Sequence, residues 1–302
     1  MGVDTRAREF ESHRAHLLSA AYRLTGSVAD AEDAVQEAWL RLDRHGASGI
    51  DDLRAWLTTV VGRICVDRLR SAAVRRETYA GQWLPEPIVT PLSGARPDDP
   101  LEQVVRDEDN RLAALIVLDT LTPEQRVAFV LHDGFDVPFS QVAGTLGTSP
   151  AAARQAASRA RRLVAAAPPQ VPGTEHAEAV QRMVAAMAEG DVDAVTRVLH
   201  PEATFTGDAG GATRTAPNII RGPDRMARFL LGLARMYGPE RLMEMEPVLV
   251  NGRAGLRHRG SPQGPETGRH AIAPRVIACT VRDGAVWAAY DMANPAKLHG
   301  LR

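Results

Sequence analysis

Two arginine-bearing segments carry the most readable chemistry in this sequence. Residues 149–162 read SPAAARQAASRARR. Ser149 followed by Pro150 is an N-cap with a proline at the first helical position, so a helix opens there. Ala151, Ala152 and Ala153 keep its first turn slim, as a helix entering a DNA major groove must be. Arg154, Gln155, Ser158 and Arg159 carry donors able to reach base edges or phosphates, and Arg161 and Arg162 suit phosphates. The preceding PFSQVAGTLG reads as a helix that Gly147 stops in the αL conformation, completing a helix-turn-helix. An arginine-rich surface helix without a ligand shares this composition, so the pattern alone leaves both readings open. The second segment places Arg63, Asp67 and Arg70 at i, i+4 and i+7 on one helical face. That spacing fits an ion-pair row contributing about 0.2–0.5 kcal/mol per pair.

Catalytic and metal chemistry is hard to assemble. His200, Asp208 and His258 are available as general bases, but no acid stands paired with them. Cys65 and Cys279 match no metal-ligand spacing and no disulfide framework, which fits a reducing cytoplasm. The expectation is therefore a non-enzymatic cytoplasmic protein without metal or cofactor. No apolar run reaches the roughly 18 residues of a membrane span, and the N-terminus has no apolar core of a signal peptide. The formal net charge of −1 hides strong local asymmetry. Arg54, Arg63, Arg68, Arg70, Arg75 and Arg76 crowd one stretch, while Asp30, Glu32, Asp33 and Glu37 crowd another. Lys297 is the single lysine among 302 residues.

These groups need positioning elements. Residues 8–76 read as helical: Ser27 and Asp30 form a capping pair, and Val28, Ala31, Val35, Ala38, Trp39 and Leu42 recur at helical spacing. Leu53, Trp56, Leu57, Val60, Val61 and Ile64 form a second stripe, and residues 43–52 between them read as a loop. Residues 77–100, proline-rich and aperiodic, read as an extended linker. Helices resume over 101–119, then from the Thr122, Pro123, Gln125 capping signal through Leu131, and again over 138–145. A proline-rich boundary at 166–173 follows. Beyond it, 176–189, 191–199 and 222–236 read as helices, and Asn251-Gly252 and Asp283-Gly284 as hairpin turns of an antiparallel sheet.

With these motifs in order, the chain resembles a bacterial extracytoplasmic-function (ECF) RNA polymerase sigma factor. Residues 8–76, with DAEDAVQEAWLRL and RAWLTTVVGRICVDRLR, resemble its first domain (region 2). Residues 101–165, with LTPEQR and PFSQVAGTLGTSPAAARQAASRARR, resemble its second (region 4). The resemblance implies two all-α sigma domains that bind core RNA polymerase and promoter DNA. It gives Asp33, Gln36, Glu37 and Arg41 to the polymerase clamp. It gives the −10 element to His45 and Ser48 of the 43–52 loop, which captures a flipped base, and to Arg63, Asp67 and Arg70. It gives the −35 element to Arg154, Gln155, Ser158, Arg159 and Arg162. Ala152 and Ala156 stand where relatives often carry a hydroxyl and a basic residue.

Residues 174–302 resemble a SnoaL-like domain, an α+β cone of the nuclear-transport-factor-2-like superfamily. The resemblance rests on EGDVDAVTRVLHPEATFTGDAGG, RGPDRMARFLLGL and VWAAYDMANPAKL. A subgroup of these sigma factors has such an extension. It pairs the extension with a WLPEP-like linker (Trp83, Leu84, Pro85), a Gly-rich motif (Asp208, Gly210, Gly211) and an NPDKL-like tail (Asn294, Pro295, Lys297, Leu298). The expected arrangement docks the C-terminal domain on region 2 and the linker and regulates the factor in cis, with room in the cone for a small-molecule ligand. The competing reading is a helix-turn-helix regulator, independent of polymerase, whose C-terminal domain senses a ligand or is a vestigial enzyme.

Overall fold

The computed structural model describes residues 3–45, 49–93, 99–106, 110–165, 171–242, 244–261 and 270–298. The chain divides into two compact units, one of residues 1–78 with 96–167 and one of residues 79–95 with 168–302.

The first unit is all-helical. Helices α1 (Val3–Thr25), α2 (Val28–His45) and α3 (Leu53–Glu77) pack as a three-helix layer. Ser27 caps α2 by accepting the Asp30 amide at 3.2 Å. Ala31, Ala34, Val35, Ala38 and Leu42 of α2 face α1 and α3 from fully buried positions, an apolar stripe of 3.6-residue period. Trp56 is only half-buried, and its ring lies 5.6 Å from that of His45.

Helices α4 (Pro100–Arg106), α5 (Leu112–Leu118), α6 (Pro123–Phe129), α7 (Phe139–Leu146) and α8 (Pro150–Val164) complete this unit. Thr122 and Gln125 close the reciprocal capping box at the start of α6. The helix expected through Leu131 instead ends at Phe129 and continues as a π turn, Val130–Gly134. The turn closes at Gly134, where a Cβ would sit 2.8 Å from the Arg23 guanidinium. Arg126 (2% exposed) binds α6 to the end of α1, donating to the Arg23 carbonyl and to Asp119, both at 2.9 Å. A cation at the carbonyl end of α1 is also favoured by that helix's dipole. Leu131 packs on Gly62 of α3, and Thr59 donates to Gln141 of α7 at 3.1 Å. The two helical segments flanking the linker thus pack on each other within one unit.

The second unit sets α9 (Gly173–Glu189), α10 (Val192–Val198) and α11 (Pro223–Tyr237) against a seven-stranded sheet, with α12 (Pro239–Leu242) packed on α11. The strands are β1 (Val89–Thr90), β2 (Leu199–Asp208), β3 (Ile220–Arg221), β4 (Glu246–Val250), β5 (Arg253–His258), β6 (Arg275–Arg282) and β7 (Ala285–Met292), in spatial order β1-β4-β5-β6-β7-β2-β3. Asn251-Gly252 and Asp283-Gly284 turn the β4–β5 and β6–β7 hairpins, with positive φ at all four residues. Two expectations are corrected. The sheet is mixed, because β2 pairs parallel to β7 after a long excursion through the hairpins. The linker also contains a strand: Val89 and Thr90 pair with Val250 and Leu249 at the edge of β4, satisfying backbone groups an edge would otherwise expose. Phe205, Met226, Val195, Leu231 and Val286 form the core between α11, α10 and the sheet.

One polar cluster makes the first unit sensitive to pH. His16 Nε2 meets the Thr58 hydroxyl at 2.9 Å and Nδ1 meets Arg54 at 3.0 Å, while Phe135 presses edge-on. Burial, then Arg54 and His13, pull the imidazole down to about 4 from its ordinary 6.5. A histidine with a depressed folded pKa binds fewer protons folded than unfolded, so its contribution is fully present above 6.5 and lost as pH falls towards 4. Thermal unfolding of His16→Gln beside the parent protein should show the parent losing stability relative to the variant across that window. Parallel pH profiles would rule out this role for His16.

Candidate functional site

The exposed arginines sort by helix face. In α8, Ser149 caps the helix through the Ala152 amide at 3.2 Å, and Ala153, Ala157 and Ala160 turn inward, fully buried. Arg154, Gln155, Ser158, Arg159 and Arg162 are all exposed. At i, i+1, i+4, i+5 and i+8 they form one stripe. Because Ala153 belongs to the core, the slim groove-facing turn comes from Ala151 and Ala152 only. Arg161, off the stripe, is held by Asp133 at 2.6 Å. Arg154 is steadied over Phe139, its guanidinium carbon 5.8 Å from the ring centroid. Such a stripe presents planar donors in the geometry that guanine edges and phosphates accept.

On α2, Asp33 and Gln36 are exposed and Glu37 and Arg41 half-exposed, with Glu37 accepting from Arg41 at 2.5 Å. Asp30 and Asp33 both hold Arg68 of α3, at 3.0 and 3.4 Å. Leu40 lies beside this acidic row at 50% exposure, an apolar point on a charged face of the kind interfaces use. On α3, Arg63, Asp67 and Arg70 are exposed, and among the described residues no ion pair joins them. The expected intrahelical row is therefore not formed, and both cations point to solvent. Ser48 lies outside the described residues.

The second unit brings most of the remaining predicted residues to one place. Asp208, at the end of β2, is completely buried. Its Oδ1 accepts from the Tyr79 hydroxyl at 2.5 Å and the Gly210 amide at 3.1 Å. Its Oδ2 accepts from the Leu84 amide at 2.9 Å and Lys297 Nζ at 2.6 Å. Lys297 also donates to the Leu84 carbonyl and sits 4.0 Å over the Trp83 ring. Asn294 donates to Tyr79 Oη at 2.7 Å and caps the Pro295–Lys297 turn through the Ala296 amide at 3.0 Å. Leu84, Pro85 and Leu298 are buried around this cluster, while Pro295 is exposed.

The Gly-rich motif is explained by close approach. Gly210 has φ +57° and a Cβ there would lie 2.5 Å from the Asn294 amide, while one at Gly211 (φ +74°) would press on Ala80. Burial, then the hydrogen bond to Asp208, raises the Tyr79 hydroxyl's pKa and keeps it a donor. Two residues of this seat were missed by the sequence reading. Tyr79 is hidden in an aperiodic stretch, and the Asn251-Gly252 pair signals the hairpin turn that it forms but not the side-chain role of Asn251. Asn251 in fact clamps Ile88 from both sides, its side chain accepting at 3.1 Å and its amide donating at 2.8 Å.

The general-base candidates do not converge. His200 faces the exposed Asp283 at 3.7 Å. His258 meets the Arg241 carbonyl at 3.0 Å and the Gly260 amide at 2.9 Å, and Asp208 holds the linker. None of the three lines the cavity of about 540 Å³ between α11 and the sheet.

Comparison with known proteins follows the same divisions. The Sigma-70 region 2 model matches residues 10–75, Sigma-70 region 4 matches 112–164, and the SnoaL-like domain matches 180–289. The chain is 57% identical over 295 residues to the ECF RNA polymerase sigma factor SigJ of Mycobacterium tuberculosis, covering 97% of this chain and 93% of the relative. It is 37% identical over 223 residues to the probable ECF RNA polymerase sigma factor SigI of the same species, covering 70% and 75%. The crystal structure of M. tuberculosis SigJ superposes with a TM-score of 0.83 at 54% identity, over 97% of this chain and 98% of that one.

Replacing the cation at the linker seat tests its energetics. Lys297→Met leaves the Asp208 carboxylate buried without its counter-charge, a defect that typically costs about 3–5 kcal/mol. Urea unfolding of the second unit should show a loss of that order, and the Leu84 amide should exchange hydrogen faster. An unchanged Leu84 amide would mean that Lys297 does not hold the linker.

Proposed function

The chain belongs to the ECF RNA polymerase sigma factors, and from that membership we propose how its surfaces divide the work of promoter recognition. It is an alternative sigma factor, binding core RNA polymerase and promoter DNA in transcription initiation. Within that activity, the α8 stripe of Arg154, Gln155, Ser158, Arg159 and Arg162 reads the −35 element. The α3 face of Arg63, Asp67 and Arg70, with His45, which lies at the end of α2 instead of in the expected loop, and with Ser48, takes the −10 element. Asp33, Gln36, Glu37 and Arg41 meet the polymerase. The protein acts in the cytoplasm with the polymerase, and the SnoaL-like domain acts without catalysis.

The control element is the linker seat. A linker joining two DNA-reading segments sets how far apart they can reach. When its Tyr79–Ile88 stretch is tied to a separate domain, that reach depends on the tie. The observation that carries this reading is the convergence of Asp208, Lys297, Asn294 and Asn251 on Tyr79, Trp83, Leu84 and Ile88 of the linker. Tethering in the same chain gives the seat a high effective concentration, so a modest intrinsic affinity suffices. Docking on region 2 extends the same device.

Run-off transcription with purified core polymerase tests both parts. Arg154→Ala and Arg159→Ala should weaken −35-dependent output and lower the salt slope of promoter binding by about one each, because each loses a phosphate-reaching cation. Full-length Asp208→Asn should change promoter-dependent output while leaving −35 duplex binding intact. Output identical to the parent's would remove the cis-regulatory reading. Strong sequence-specific binding without polymerase, coupled with no stimulation of transcription, would favour a stand-alone regulator.

A further inference from the structure

Two arginines of α8 are met by the π turn that follows α6. Arg154 and Arg161 stand seven residues apart, so they fall within about 20° of each other on one side of the helix. Two consecutive side chains of the π turn, His132 and Asp133, attend to them. Asp133 Oδ1 accepts from Arg161 Nε at 2.6 Å. His132 acts on Arg154 through a ring. Its imidazole stacks on Phe139, with centroids 3.7 Å apart and planes inclined by 29°. The Arg154 guanidinium carbon lies 5.8 Å from the centroid of that same ring.

The turn is built to hold both side chains still. Val130 and Leu131 are fully buried, and Arg23 packs against Gly134 and lies 5.3 Å over the Phe135 ring. His132 Nδ1 donates to the Val137 carbonyl at 2.9 Å, which fixes the plane of the imidazole. Phe139 is the first residue of α7, so the stack also joins the turn to the first helix of the helix-turn-helix. A free arginine loses much rotamer freedom on binding, and a fixed ring beneath its guanidinium lowers that cost in one direction only. A cation already held by a carboxylate is, by contrast, withdrawn from phosphates. π turns are rare and concentrate at functional sites, and here the turn serves two arginines in opposite ways.

We propose that the π turn sorts these arginines: His132 is a positioning residue that fixes the Phe139 ring and so aims Arg154 at one base pair of the −35 element, while Asp133 holds Arg161 back from the phosphate backbone. Base preference then depends on a side chain that never meets DNA. The inference rests on the reading of α8 as the −35 helix, and Arg154→Ala tests that reading by itself.

Holoenzyme assembled from core polymerase and the full chain, selecting from promoter-length duplexes randomised over both elements, measures the aim. Arg154→Ala should identify the base pair whose preference depends on that arginine. His132→Asn keeps a donor for the Val137 carbonyl and removes the ring. It should flatten preference at that base pair alone, by about fivefold or more. The salt slope of binding should stay at the parent's value, because the cation remains. His132→Phe keeps a ring against Phe139 and should retain the preference. In an Arg154→Ala background, His132→Asn should change nothing further. Asp133→Ala should steepen the salt slope by about one, and adding Arg161→Ala should cancel that gain. A parental profile for His132→Asn, equal flattening at every base pair, loss of preference in His132→Phe, or effects additive with Arg154→Ala overturns the aiming role. A parental salt slope for Asp133→Ala overturns the restraint of Arg161. A parental profile for Arg154→Ala overturns the −35 reading, and the aiming role with it.

Discussion

A buried carboxylate must be neutralised, and Asp208 organises the second unit around that requirement. The strand that carries it ends inside the protein, where no water can solvate the charge. Apart from the nearby Gly210 amide, the partners of its carboxylate lie far away in sequence: Tyr79 and Leu84 in the linker, Lys297 in the tail. Satisfying one oxygen pair therefore fixes three segments at once. Buried ion pairs contribute little net stability, since desolvation offsets most of the attraction, but they discriminate sharply against arrangements that leave a charge alone. Here the discrimination falls on where the linker lies.

The first unit obeys the opposite rule. Its buried cations serve structure: Arg126 ties α6 to the carbonyl end of α1, and Arg23 is buried at that same end. The arginines of the α8 stripe stay on the outside. Alanine provides the separation in α8, where Ala153, Ala157 and Ala160 pack closely enough that every long side chain of the stripe is pushed outward. A face of unpaired cations is unfavourable for an isolated domain and favourable for one that meets phosphate, where counterion release drives binding.

Folds do not dictate functions, and acid–base catalysis needs a base poised against a substrate. His200, His258 and Asp208 are each committed elsewhere. The carboxylate that does line the cavity, Asp291, is held by Arg275 and Thr215, and burial raises its pKa against their influence. The cone encloses a cavity of about 540 Å³, bordered by Ala80 and Gly81 of the same linker that Asp208 seats.

Local signals made much of this legible. Thr122 with Gln125, Ser149 with Pro150, Gly147 and the two Asn/Asp-Gly turns act within a few residues, so helix starts, stops and hairpins could be read directly. So could the α8 stripe, since its period is intrinsic to the helix. Resemblance to a known family singled out Trp83, Asp208, Asn294 and Lys297 without saying which atoms meet. The tertiary structure alone decided that β2 runs parallel to β7, that Val89–Thr90 joins the sheet, that Tyr79 and Asn251 complete the linker seat, and that Asp291 faces the cavity. Each of those depends on pairing between residues 76 to 215 apart. Such pairing is chosen by desolvation and by the need to satisfy buried polar groups, and neither leaves a mark at short range in the chain.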